Sequence, residues 1–131
     1  MSLSDPGILL DQMFEAARRA RSYVEGMSKD AFLADTRTQE AVVLNLLVIG
    51  ETATKLSRDH ESFLAGHPDL PWRSMRGMRN RIAHGYFELD MNVVWETVLT
   101  ALPDLVYRLP SIRDAGRNMS GAPDLPESGD V

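Results

Sequence analysis

The sequence predicts an all-α protein, an up-and-down bundle of four to five helices, and three observations carry that prediction. Apolar residues recur three and four positions apart through most of the chain up to residue 110. Helix-start chemistry stands ahead of the periodic stretches, and no window alternates apolar and polar residues as a strand would. No internal repeat is evident, and short connections favour antiparallel neighbours.

The first helix starts at "SDPG", where Asp5 can cap and Pro6 suits the first helical position. Leu9, Met13, Ala17, Ala20 and Val24 follow at helical spacing, and Gly26 offers a stop. Ser28 caps a brief turn through Phe32 and Leu33. "TRTQ", with Thr36 and Gln39, has the form of a capping box and launches a second long helix to about Ser57. That helix is apolar nearly all round in "AVVLNLLVIG", residues 41–50, so it is expected to be covered on more than one side. Within it, Asn45 is expected to satisfy a buried hydrogen bond. Gly66, Pro68 and Pro71 punctuate a linker before a third helix from Trp72 to His84, which Gly85 ends. Asp90 caps a fourth, with Val94, Trp95, Val98 and Leu102 facing inward; Trp72 and Trp95 read as core anchors. Pro103 kinks that helix or restarts it as a closing segment, "PDLVYRL". After Pro110 the chain is rich in Gly, Ser, Pro and Asp, which predicts a helical domain over 1–110 and a flexible tail over 111–131.

The 131 residues, 44% of them hydrophobic, suit one domain with one core. Without cysteine there are no disulfides, thiolate metal sites or cysteine nucleophiles, and a reducing compartment fits. No secretory signal pattern opens the chain, and its longest apolar run is half of what a bilayer needs. A cytoplasmic protein with no membrane partner is expected. A net charge of -5 opposes binding of nucleic acid through the whole surface, so contact with a polyanion must be local.

One such locality exists. "SMRGMRNRIAHGYFELD", residues 74–90, follows Arg73 and carries Arg76, Arg79, Arg81, His84, Gly85 and Tyr86. Arg76, Asn80 and His84 advance by four and share a stripe, while Arg79 lies about 140° round from His84 at 100° per residue. One straight helix aims both at a common point only through long side chains, a frayed last turn, or a second copy across a two-fold axis. Neutral imidazole can take a proton from a ribose 2′-hydroxyl, and a guanidinium can hold the scissile phosphate. Those groups suffice for cleavage of unpaired RNA through a cyclic phosphate. The plainer alternatives stand beside this: solvated ion pairs for the arginines, and a helix-dipole preference for His84. His60 and His67 have no ligand spacing with His84, and no metal site or cofactor is expected.

The segment "RNRIAHGY" resembles the R-x4-H-x-Y motif of the HEPN superfamily, specifically of the HepT-like toxins. "QEAVVLNLLVIGETATKLS" resembles the family's second long helix, and "VVWETVLTALPDL" its closing helix. The resemblance, covering roughly residues 8–110, implies a HEPN-like homodimer with the motif lining the dimer cleft. It further implies a metal-independent endoribonuclease toxin of a toxin–antitoxin pair, acting on RNA such as tRNA through catalytic Arg79 and His84. Asn80 would support them, and Arg73, Arg76 and Arg81 would bind RNA. Glu51 would orient His84 or an arginine, or form a structural salt bridge. The implied antitoxin is a nucleotidyltransferase of the MNT type that transfers AMP onto Tyr86. The alternative is a non-catalytic helical dimer that binds such a nucleotidyltransferase or a nucleotide.

Overall fold

The structure, a computed structural model, describes the backbone of residues 5–121 and the side chains of residues 5–117. Among the described residues there is no strand, and the fold is an all-α bundle. Its long elements are α1 (Pro6–Tyr23), α3 (Thr36–Asp59), α5 (Trp72–Gly85) and a closing rod. The rod runs end to end through α6 (Met91–Glu96), a π-helical turn (Thr97–Ala101) and α7 (Leu102–Gly121). Short helices α2 (Lys29–Leu33) and α4 (Glu61–Ala65) fill the corners, and a 3-10 turn (Tyr86–Glu88) follows α5. No helix among the described residues is long and apolar enough to cross a membrane.

The two central helices are α1 and α3. Helix α1 packs on both α3 and α7, and α3 packs on both α1 and α5. The small side chains Ala16, Ala17 and Ala20 are fully buried on α1 and let its neighbours come close. Helix α3 buries Val42, Val43, Leu46, Ile49, Ala53 and Leu56, which is the cover on several sides that its apolar run requires. Asn45, 6% exposed, accepts from Arg19 Nε at 3.1 Å and donates to the Ala41 carbonyl at 2.9 Å, so its burial leaves no unmet polar group. Trp72 and Trp95 both lie in the core. Trp95 meets the Phe32 ring at 5.2 Å and so pins α2 to α6. Trp72 donates Nε1–H to the His67 carbonyl at 2.9 Å, fastening the loop that enters α5.

Several local expectations need correction. Asp5 occupies the cap position of α1 without a side-chain bond to the helix. The cap of α3 is Asp35 rather than a Thr36–Gln39 box. Its carboxylate accepts from the Thr38 N–H at 3.1 Å, while Gln39 Nε2 donates back to the Phe32 and Leu33 carbonyls. Helix α4 was not anticipated; it forms because Phe63 and Leu64, adjacent within an otherwise polar connection, bury against the core.

Pro103 does not restart a separate helix. The π-turn immediately before it widens the backbone register, which relieves the ring's clash with the preceding turn and lets the rod continue. Pro110 likewise sits inside α7, and the helix persists to Gly121 because Leu109 and Ile112 are buried on either side. Near that end, a Cβ on Gly7 would meet Arg117 Cγ at 2.6 Å, a proximity that only glycine allows at the α1–α7 contact. Helix α7 therefore runs through the boundary expected at residue 110, with Ile112 beyond it buried in the core. The remainder of the expected tail, residues 122–131, lies outside the described residues.

Candidate active site

Helix α5 buries one narrow face, Trp72, Met75, Met78 and Ile82, and turns the rest of its circumference outward. The buried residues recur three and four apart, so the intervening arginines stand on the flanks and outer side. Helix α5 lies on α3 where a Cβ at Gly50 would come within 2.3 Å of Arg79 Cβ and 2.8 Å of the Met75 carbonyl oxygen. Glycine in mid-helix costs about 1 kcal/mol against alanine, and here it lets the α5 backbone come close to α3.

That approach fixes Arg79. Its Nε donates to Glu51 Oε1 on α3, and its Nη1 donates to Asn80 Oδ1 at 3.0 Å. Glu51 thus meets an arginine, a contact common to an orienting role and to a structural salt bridge. The pair is 34% and 43% exposed, so it is a solvent-accessible clamp with little net stabilisation.

The other arginines of the segment behave differently. Elsewhere Arg18 pairs with Glu15, Arg58 with Asp59, Arg108 with Asp69 and Asp104, and Arg113 with Asp11, while Arg19, Arg21 and Arg37 form no ion pair among the described residues. Arg73, Arg76 and Arg81 form no ion pair among the described residues; the contact of Arg81 is to Met78 Sδ at 3.9 Å. Three cations without an ion pair among the described residues thus stand on one helix, a local concentration of positive charge on a protein of net charge -5.

His84 is exposed and lines a groove of about 360 Å³ together with Arg81, Gly85 and Glu88. Arg79 is not among the residues lining it. Arg79 is held toward α3 and His84 borders the opposite trough, so within one chain they take the divergent directions that the helical period implies. Tyr86 follows in the 3-10 turn, half-buried, with its ring edge-on to Phe87 at 5.6 Å. Burial, and secondarily the negative charge of Glu40, raise the Tyr86 phenol above its ordinary pKa.

Sequence reasoning did not single out Gly50 or Glu88. A glycine inside an otherwise apolar helical run was the available signal for the first; nothing in the local sequence marked the second.

Comparison with known proteins bears on the whole domain. Residues 13–112 match the family described as "Ribonuclease HepT-like". "Probable ribonuclease HepT" of Thermococcus cleftensis is 33% identical over 104 residues, covering 79% of this chain and 92% of that protein. A protein of Methanocaldococcus jannaschii named as a candidate RNase is 30% identical over 112 residues, 86% of this chain and 90% of its own. A similarly named protein of Caldanaerobacter subterraneus is 28% identical over 110 residues, 84% and 96% of the two chains. No solved structure matches. The matched region begins inside α1, takes in the α3–α5 contact and the whole arginine and histidine segment, and ends in α7; this chain belongs to the HepT-like ribonuclease family.

Proposed function

We propose that this protein is an endoribonuclease that cleaves unpaired RNA without a metal ion, and that it acts as the toxin of a toxin–antitoxin pair. The observation that carries the reading is the unpaired cationic set Arg73, Arg76 and Arg81 on the helix that also presents an exposed His84. Membership of a ribonuclease family supports it.

In the proposed reaction neutral His84 accepts the proton of a ribose 2′-hydroxyl, and the 2′-oxygen attacks the adjacent phosphorus. The bond from phosphorus to the 5′-oxygen breaks and the departing oxygen takes up a proton. The products are a 2′,3′-cyclic phosphate and a 5′-hydroxyl. Arg79, supported by Asn80 and Glu51, stabilises the charge developing on the phosphoryl oxygens. Because Arg79 and His84 diverge within one chain, the reading includes a homodimer in which two copies of α5 face one cleft.

Control is assigned to Tyr86. Its hydroxyl oxygen attacks the α-phosphorus of ATP held by a nucleotidyltransferase antitoxin, pyrophosphate leaves, and the phenolic proton is lost. The attached phosphate then places negative charge two residues from His84 and competes for the arginines. A tyrosine phenol is protonated near neutral pH, so the antitoxin supplies the base for this step. Replacing Tyr86 with Phe keeps the ring and removes the acceptor, so a Tyr86→Phe toxin escapes neutralisation. Unchanged neutralisation of that variant would remove the AMP reading.

A second reading, a non-catalytic helical dimer that binds a nucleotidyltransferase, draws on the engagement of Arg79 by Glu51. One experiment separates the two. Purified protein, confirmed by intact mass to be unmodified at Tyr86, is incubated with total tRNA and a synthetic single-stranded RNA in chelator, beside His84→Ala. Cyclic-phosphate ends that vanish in the variant establish the nuclease; identical RNA profiles for both proteins favour the binding module.

A further inference from the structure

The proposed chemistry uses the cations of α5 and leaves the trough next to them without a role. This trough lies between α5 and the rod. One part of it, about 360 Å³, is lined by the apolar side chains Met78, Val93 and Val94 and by the polar groups Arg81, His84 and Glu88. Through Met78, Arg81 and Val93 it continues into a second hollow of about 200 Å³ above Leu46 and Ile49 of α3.

We propose that this trough receives one unpaired nucleobase of the bound RNA and that Glu88 selects bases bearing an exocyclic amino group. The inference rests on the reading of α5 as an RNA-binding helix. The chemistry of the walls argues for a nucleotide. Arg81 carries no carboxylate partner and offers its guanidinium to a backbone phosphate, while the thioether of Met78 and the branched side chains of Val93 and Val94 offer a flat base an apolar contact. A mostly apolar concavity with a few convergent polar groups, of this volume, is the ordinary form of a small-ligand subsite.

The carboxylates decide which base. Asp90 is committed to the start of α6, with its Oδ1 accepting from Asn92 N at 2.9 Å and from Asn92 Nδ2 at 3.0 Å. Glu88 accepts no hydrogen bond among the described residues, and an ionised carboxylate can only accept. Cytosine, adenine and guanine bring an amino group to such an acceptor. Uracil has a carbonyl oxygen where cytosine has its amine, so two acceptors would face each other.

The test compares matched oligonucleotides that differ by cytosine or uracil on either side of one ribose in an otherwise deoxy strand. Cleavage is read as kcat/KM, and binding is read on 2′-O-methyl versions that cannot react. The expected preference for cytosine is about 5- to 100-fold in both readouts. Glu88→Gln, whose amide donates as well as accepts, should bring that ratio to within about twofold. Val93→Asp, at a half-exposed position, should weaken binding of both strands. Equal treatment of the two bases by the wild type, or an unchanged ratio in Glu88→Gln, overturns the assignment. Cleavage without base preference would sink the trough and leave the nuclease standing. Selective binding without cleavage would do the reverse.

Discussion

Helices α3 and α5 lie against each other and divide the work of the molecule. Helix α3 is covered on most of its circumference and carries its apolar residues as structure. Helix α5 buries four side chains and turns its arginines, Asn80 and His84 toward solvent. At their contact, Gly50 and Glu51 of α3 meet Arg79 of α5, so α3 sets the position of that arginine. The difference teaches where substitutions should act: changes on α3 should alter stability, and changes on the outer side of α5 should alter activity.

The most severe expected effect lies on α5. His84→Ala should lower RNA cleavage by about 10²- to 10⁴-fold, the usual contribution of a positioned acid–base group. Because His84 is exposed, the urea midpoint should stay within about 0.5 kcal/mol of wild type. A variant that unfolds instead would break the division between the helices.

Gly50→Ala tests their contact. A Cβ 2.3 Å from Arg79 Cβ has no room, and overpacking of this kind costs about 1–3 kcal/mol in denaturant unfolding. Chain displacement at Arg79 should reduce cleavage as well, which makes this the one α3 position expected to move both readouts.

Glu51→Gln removes the carboxylate beside Arg79 and keeps the side-chain length. With both partners about a third or more exposed, its stability change should not exceed about 1 kcal/mol. A larger loss would mean that the clamp belongs to the scaffold rather than to the site.

The smallest effect concerns the start of α3. The side-chain and backbone bonds from Thr38 hold the Asp35 carboxyl below the ordinary carboxylate range. Its stabilisation is therefore fully present above that range and fades as the pH falls through the lowered value. Melting temperatures of wild type and Asp35→Asn should converge as the pH is taken from about 5 to 2, and a constant gap would show that the cap acts without its charge.

Much of the site's neighbourhood was legible because it depends on local order along the chain. The 140° separation of Arg79 from His84 follows from helical period alone, and the two residues line different surroundings in the structure. The partner that Arg79 takes could not be read that way: Glu51 is 28 residues away, and only the packing of α5 on α3 brings it within reach. Glu88 was overlooked because its place in the trough with Arg81 and Val93 depends on how the turn after α5 leads into α6. The closing rod shows the limit from the other side. Proline and a polar composition correctly marked weak helical propensity around residues 103 and 110, yet burial of Leu102, Leu105, Leu109 and Ile112 outweighs it.

By itself the sequence determined that the protein is helical, where its long helices begin, and that four arginines and His84 share one helix. Those properties reside in spacing, caps and breakers that act within a few residues. Tertiary structure alone decided which carboxylate holds Arg79, that the chain past Pro110 is helical and packed, and that a trough opens beside His84. Each of these depends on side chains far apart in sequence meeting in a close-packed interior, where an absent Cβ at Gly50 counts as much as any charge.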